Sequence, residues 1–545
     1  MGIAPTAGEQ GKGPEWQAVG PDILPSITHN SSRETSSRSG ARFKGERNKM
    51  VDQPASPTLA GGFARRKSIE QIQAEFGSSE LKRTLGPINL IFLGIGCIIG
   101  AGIFVRTGNA AALHAGPAVM LSFLVAGLVC AFAGLCYAEL ASVLPVSGSA
   151  YTYSYATLGE FAAWIMGALL LLEYGLAASV VAVGWSGYVV SLLHDMGLII
   201  PPHLTAPAGA LVTLADGSTL TALFNLPALL VGLALTVLLV MGVSESANVN
   251  NIIVVIKVLV IIAFIGIGGY AILTNLGTYA PNWEPFIPEP TGERGEFGVG
   301  GVMRAASIVF FAYIGFEAVS TAGQEAKNPK RDMPIGILGS LIVCTILYIG
   351  TAAVLTLLVN YTELDTPAPV ADAVNKLGDQ WKWFAVLIKV GAIAGLTSVI
   401  LVLMYGQTRV FYAMSRDGLI PGLFAKVHSK FKTPWVNTMI VGVGVSITAA
   451  VFDINTIGDL TSVGTLAAFA IVCLTVIYLR NARPDLDRGF KVPLYPITPI
   501  LGILSCCYLI TTVEMRVLMF FVYFLSAAVA VYFLFGFWNS KLRNG

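Results

Sequence analysis

Among the ionisable side chains inside long apolar runs of the sequence, four stand out: Glu173, Lys257, Glu317 and Lys389. A charge held in hydrocarbon costs about 2.5 kcal/mol or more, so such residues are functional candidates by default. Their chemistry is proton exchange, because burial disfavours the charged form and lets an ammonium release, or a carboxyl retain, a proton at physiological pH. Structural readings stand beside the functional ones. Lys257 lies about two turns inside one end of its run, with a stem long enough to reach that end; Lys389, also about two turns from an end, is expected to snorkel. Glu173 and Glu317 can pair with polar backbone or be held protonated. Glu139 and Arg304 lie nearer the ends of their runs, where solvation or snorkelling accounts for them.

Two interruptions accompany these residues. The first is Gly94-Ile95-Gly96-Cys97-Ile98-Ile99-Gly100-Ala101-Gly102-Ile103-Phe104. Glycine costs about 1 kcal/mol relative to alanine within a helix, so clustered glycines allow the backbone to unwind. The second, Phe310-Phe311-Ala312-Tyr313-Ile314-Gly315-Phe316-Glu317, holds one glycine and lies five apolar runs later. Small residues also let membrane helices pack closely, which is the plain reading of Gly100 and Gly102. The matched positions favour breaks: a five-helix repeat begins its second copy from the opposite side, relating the two interruptions by an inverted pseudo-twofold axis.

Unwound backbone inside a membrane must be satisfied by protein, water or ligand, so paired breaks imply a cavity and the cavity implies a substrate. Past the first break a helix starting near Ile103 presents free amides at Gly100, Ala101 and Gly102, which suit a carboxylate. Helix ends at Ile98, Ile99, Phe311 and Ala312, with Ile314 beside them, present carbonyls that suit an ammonium. Together they fit an α-amino acid zwitterion without any charged side chain.

The scaffold that positions these residues must be membrane-embedded and helical. Of 545 residues, 54% are hydrophobic and 12% charged, about half the charge of a soluble protein, and the mean hydropathy is +0.71. Apolar runs long enough to span about 30 Å of hydrocarbon are expected at approximately 87–114, 118–143, 161–192, 226–243, 249–273, 300–323, 334–359, 383–413, 435–453, 458–479, 495–512 and 517–538. The fold class is therefore an all-α polytopic membrane protein of about twelve spans: five plus five in an inverted repeat with spans one and six broken, and two more at the C-terminus. Residues 1–85 read as a disordered cytoplasmic tail, 86–480 as the ten-helix core, and 481–545 as the last two helices with a short cytoplasmic end.

Basic residues set the orientation. Arg65, Arg66, Lys67, Lys82 and Arg83 precede span one; Lys327, Lys330 and Arg331, then Arg416, Lys426, Lys430 and Lys432, then Arg480, Arg483, Arg488 and Lys491, and finally Lys541 and Arg543 mark alternate connections. The positive-inside rule places all of these, and both termini, in the cytoplasm of a cell bounded by the plasma membrane. The tail contains Met50, from which a shorter chain is expected to be an intact protein, and a loose Met1-Gly2 to Thr6 acylation pattern of little weight. A net charge of +2 without a basic patch argues against nucleic acid. Seven cysteines (97, 130, 136, 344, 473, 506 and 507) sit in apolar runs as core residues, and the scattered histidines 29, 114, 194, 203 and 428 lack metal-ligand spacing, so neither metal nor cofactor is expected.

The sequence resembles the amino acid-polyamine-organocation superfamily and, more closely, the cationic amino acid transporter family in its bacterial form. The residues that carry the likeness are Gly96 to Phe104; Tyr137-Ala138-Glu139-Leu140 with Pro145 and Gly148; Phe310 to Glu317; Glu325-Ala326-Lys327-Asn328-Pro329; Gly406-Gln407-Thr408-Arg409 through Met414-Ser415-Arg416-Asp417-Gly418; and Phe490-Lys491-Val492-Pro493-Leu494-Tyr495-Pro496. It covers roughly residues 80–540. Animal members have more spans than this chain, and some bacterial relatives resemble carriers of neutral amino acids.

The resemblance implies a secondary active amino acid permease working by alternating access, with cationic or broadly neutral amino acids as substrates. It implies that Phe311 closes over the substrate as a gate, against the plain reading of aromatic core packing. It also implies that Lys257 stands where other members of the fold use sodium. Transport would then be proton-driven, with the Lys257 ammonium reaching carbonyls near the first break and the hydroxyls of Thr397 and Ser398, and with Glu173 and Glu317 as further coupling candidates. An amino acid exchanger or a non-transporting sensor of the same fold are the alternatives. A channel would need a continuous polar stripe or a repeated filter, and an enzyme a nucleophile and base or paired metal ligands at one face; the sequence displays neither.

Overall fold

The computed structural model describes residues 65–66, 83–146, 148–213, 217–242 and 247–544. The reading of residues 1–85 as a tail lies almost wholly outside these residues, and the alternative start at Met50 and the Gly2 to Thr6 pattern entirely so. Among the described residues eight helical stretches are long and apolar enough to cross a membrane, and four shorter apolar helices accompany them. The helices used below are α1 (Pro87–Ile98), α2 (Val119–Val143), α3 (Glu160–Asp195), α4 (Leu226–Val240), α5 (Ala247–Thr274) and α6 (Gly298–Val309). The second set comprises α7 (Pro329–Leu358), α8 (Lys382–Arg416), α9 (Trp435–Val451), α10 (Ile454–Ala482), α11 (Ile497–Thr511) and α12 (Met515–Val531). Each overlaps one expected apolar run.

In hydrocarbon every backbone polar group must find a partner within the chain, which is why these apolar runs become helices. Their starts carry local signals. Proline occupies the first turn of α1, α4 and α7, where its missing N–H costs nothing. Side-chain oxygens of Asn225 and Asp453 accept the first amides of α4 and α10, at 3.1 Å from Ala228 and at 3.0 and 3.1 Å from Asn455 and Thr456. Between α3 and α4 lies a small antiparallel hairpin, β1 (Leu211–Thr213) with β2 (Thr219–Thr221), Leu211 opposite Thr221.

Packing pairs helices that lie five apart in sequence order: α2 with α7, α3 with α8, and α4 with α9. The core between them is apolar, whereas Leu230, Ile252, Ile262, Leu273, Ile346 and Leu504 point outward from the bundle. Outward apolar side chains at this density suit a hydrocarbon solvent.

Candidate functional site

Helix α1 stops where its glycines cluster. Ile99 is extended (φ −73°, ψ 98°), and the chain resumes as a π-helical turn over Gly102–Arg106. The second break is as complete, although its sequence holds one glycine. α6 tightens into a 3-10 turn at Phe310–Tyr313, leaves helical geometry at Ile314 (φ −57°, ψ 130°) and passes through Gly315 at φ 118° before a 3-10 segment at Glu317–Ala322. Only glycine adopts that φ readily, and a Cβ there would also meet the Cys97 main chain at 2.9 Å. The helix end expected at Phe311–Ala312 thus falls slightly later, at Tyr313.

The two breaks touch. A Cβ on Gly102 would run into the Ala312 backbone, whereas one on Gly100 would make ordinary contact with Val399 at 3.4 Å. Beside this contact is a narrow cavity, with a volume of about 10 Å³, lined by Cys97, Ile98, Gly100, Ala101 and Gly102 of the first break, Phe311 and Ile314 of the second, Ala177 and Val181 of α3, and Val399 and Leu403 of α8. Six of the residues read from sequence as substrate contacts therefore line one cavity. Among the described residues the Gly100 and Ala101 amides have no backbone acceptor, so they remain available to an anion. Every lining side chain is uncharged.

The carbonyls are distributed less simply. The Tyr348 hydroxyl of α7 lies 2.9 Å from the Ile98 carbonyl and 3.0 Å from that of Ala312, so one O–H, which can donate to one of them at a time, joins the two broken helices. The Ile99 carbonyl instead accepts from the Lys257 ammonium at 3.2 Å, together with that of Gly96 at 3.0 Å. Lys257 is fully buried and does not snorkel; its stem lies against Gly395 of α8, where a Cβ would come within 2.8 Å of Cε. The Thr397 hydroxyl accepts from the Trp185 indole at 2.9 Å and donates to Ile393, and Ser398 is buried on the same helix.

Three sequence expectations are corrected. Lys389 is 1% exposed and ion-paired to Asp195 at 2.5 Å rather than snorkelling. Glu139 is equally buried, not solvated; it accepts from Arg480 Nε at 2.9 Å and the Val492 amide at 2.7 Å, with Arg488 at 3.3 Å. Arg304 is buried and paired with Asp459, whose other oxygen accepts from Arg106 at 2.6 Å. That Arg106-Asp459-Arg304 cluster ties the first break's outer segment to α6 and α10. It was missed, although an arginine and an aspartate inside apolar runs were visible signals. Beyond the other end of α10, outside the cavity, the exposed Asp487 carboxyl sits 2.5 Å from Lys330, which holds it below the usual carboxylate range.

A helical bundle with two broken helices meeting at a narrow cavity is the form of a membrane permease. The chain belongs to the amino acid permease family, whose model matches residues 85–536. It is 45% identical over 488 residues to the branched-chain amino acid permease BcaP of Bacillus subtilis (strain 168), covering 89% of this chain and all of that one. It is also 44% identical to the methylthioribose transporter of the same organism over 481 residues, 88% of this chain and 99% of that one. With the chloroplastic cationic amino acid transporter 9 of Arabidopsis thaliana the identity is 37% over 411 residues, 75% of this chain and 68% of that one. These relatives are transporters, and this chain is a permease rather than an enzyme.

Proposed function

We propose that this permease is a proton-coupled symporter of amino acids with uncharged, predominantly aliphatic side chains, working by alternating access in the plasma membrane with both termini in the cytoplasm. The observation that carries the substrate class is the cavity lining: free amides at Gly100 and Ala101 for the carboxylate, carbonyls of both breaks for the ammonium, and only apolar side chains for the remainder of the substrate. The name of the BcaP relative agrees with it. An inverted repeat of five plus five helices is supported by the two complete breaks, five helices apart, and by the packing of α2 on α7, α3 on α8 and α4 on α9.

Lys257 supplies the coupling. Charged, its ammonium holds the end of α1 to α5 through the Gly96 and Ile99 carbonyls; neutral, it holds them less strongly, because charge-assisted hydrogen bonds are about twice as strong as neutral ones. A proton therefore favours one conformation over the other, which is a population shift. Phe311 closes over the substrate, and Glu173 and Glu317 are the further coupling candidates near the breaks.

Uptake of labelled amino acids into proteoliposomes at two pH values, with and without sodium, tests the reading. Leucine, isoleucine and valine should enter in preference to arginine and lysine, faster with an inward proton gradient and independently of sodium. The panel includes methylthioribose because of the second relative's name; a preference for it, or for arginine, would displace the proposal.

A further inference from the structure

Below the cavity lies a second polar centre that the apolar lining does not use. Glu173 sits on a π-helical turn of α3, Leu171–Leu176, one turn before the cavity residue Ala177, and Glu317 follows the cavity residue Ile314 by three positions. Glu317 is displaced toward the basic connection of Lys327, Lys330 and Arg331, and Glu173 toward the start of α3, which an even number of crossings places on the same side, so the two glutamates lie on one side of the cavity. Their carboxyl groups are close enough to interact. Both are fully buried, and among the described residues no basic side chain pairs with either.

The centre holds several unsatisfied groups. The two carboxyls face each other as a hydrogen-bonded pair, Glu317 Oε2 also accepts from the Gly315 amide at 2.9 Å, no other donor among the described residues reaches either Glu173 oxygen or Glu317 Oε1, and the hydroxyls of Tyr137 and Tyr174 make no hydrogen bond. Tyr137 and Tyr174 are buried beside these carboxyls, and Tyr137 packs edge-on against Phe316 of the second break. Buried polar groups are nearly always paired, so so many orphans in one place call for a ligand. π-Turns occur frequently at functional sites, and unpaired carboxyls inside a membrane mark a path for a cation.

We infer that Glu173 and Glu317, with the hydroxyls of Tyr137 and Tyr174, form a release site that takes the substrate's α-ammonium as it leaves the central cavity toward the cytoplasm. The inference rests on the permease reading above. The charge of the site decides which end of the substrate it takes: two carboxyls without a basic partner attract the ammonium and not the carboxylate, which stays at the Gly100 and Ala101 amides, so the ammonium leads the way in. The first acidic side chains it meets are these two carboxyls. Any proton they hold is displaced to the cytoplasm on its arrival.

Uptake of labelled leucine into inside-out and right-side-out membrane vesicles tests this, because a release site affects affinity from the cytoplasmic side alone. In Glu173→Gln/Glu317→Gln the half-saturating concentration should rise about tenfold in inside-out vesicles, the scale of one lost hydrogen bond to a charged group, and change less than about twofold in right-side-out vesicles. Tyr137→Phe/Tyr174→Phe, which keeps the packing and removes only the hydroxyls, should shift it in the same one-sided way and carries the test if the glutamine variant does not reach the membrane. Equal shifts on both sides, no shift on either, sodium dependence, or loss of proton drive with unchanged sidedness would overturn the release site. Absence of leucine uptake by the wild type would instead count against the permease's proposed substrate.

Discussion

The Lys257 ammonium of α5 donates to the Gly96 carbonyl of α1 at 3.0 Å, 161 residues away in sequence, and so ties the first broken helix to the helix beside it. Because the Ile99 carbonyl is its second acceptor, the lysine occupies the C-terminal end of α1, where unpaired carbonyls favour a cation. Proton coupling as proposed above depends on this contact.

Gly100 and Gly102 are two residues apart but make different demands. Gly102→Ala should separate the breaks, because its Cβ overlaps Ala312, and should reduce leucine transport by an order of magnitude or more with lowered thermal stability. Gly100→Ala should fold normally, since its Cβ meets Val399 at 3.4 Å, and should only narrow the cavity. Comparable behaviour of the two in transport and melting measurements would contradict the geometry.

Tyr348→Phe removes the hydroxyl that joins Ile98 and Ala312. A loss of about 1 to 3 kcal/mol is expected, the cost of leaving a buried acceptor unpaired, read as a lower melting temperature in detergent. Added leucine should restore more stability to the variant than to the wild type, as its ammonium takes over those carbonyls. Unchanged melting would show that the hydroxyl is dispensable.

The two breaks were legible because glycine spacing is local information, and the apolar runs because hydrocarbon imposes a length. What joins distant segments was not. Glu139 and Arg480 are 341 residues apart, and each by itself resembles an ordinary charge at a helix end; only the fold shows them buried against each other. Tyr348 was equally silent, an aromatic in an apolar run whose polar tip matters only once Ile98 and Ala312 are brought to it. Gly315 shows the reverse: a single glycine looked like a weak breaker, but its φ of 118° makes the break complete.

Phe311→Ala should slow leucine transport more than it lowers the melting temperature, since Phe311 lines the cavity between the breaks. Transport at the wild-type rate would reduce Phe311 to core packing.

Asp459→Asn removes the counter-charge shared by Arg106 and Arg304. Leaving buried charges unpaired should destabilise the protein by about 3 to 5 kcal/mol. Glu514→Gln, at the exposed partner 4.0 Å from Arg304, should change stability by less than about 1 kcal/mol. Equal effects of the two in a thermal unfolding assay would contradict the assigned roles.

The most direct test is proton movement in sodium-free proteoliposomes loaded with a fluorescent pH indicator. Leucine added outside should acidify the lumen with the wild type. With Lys257→Met it should be exchanged against internal leucine without acidification and without pH dependence. Leucine uptake by the wild type without acidification, a requirement for sodium, or an unchanged proton signal in Lys257→Met would contradict proton coupling through this lysine.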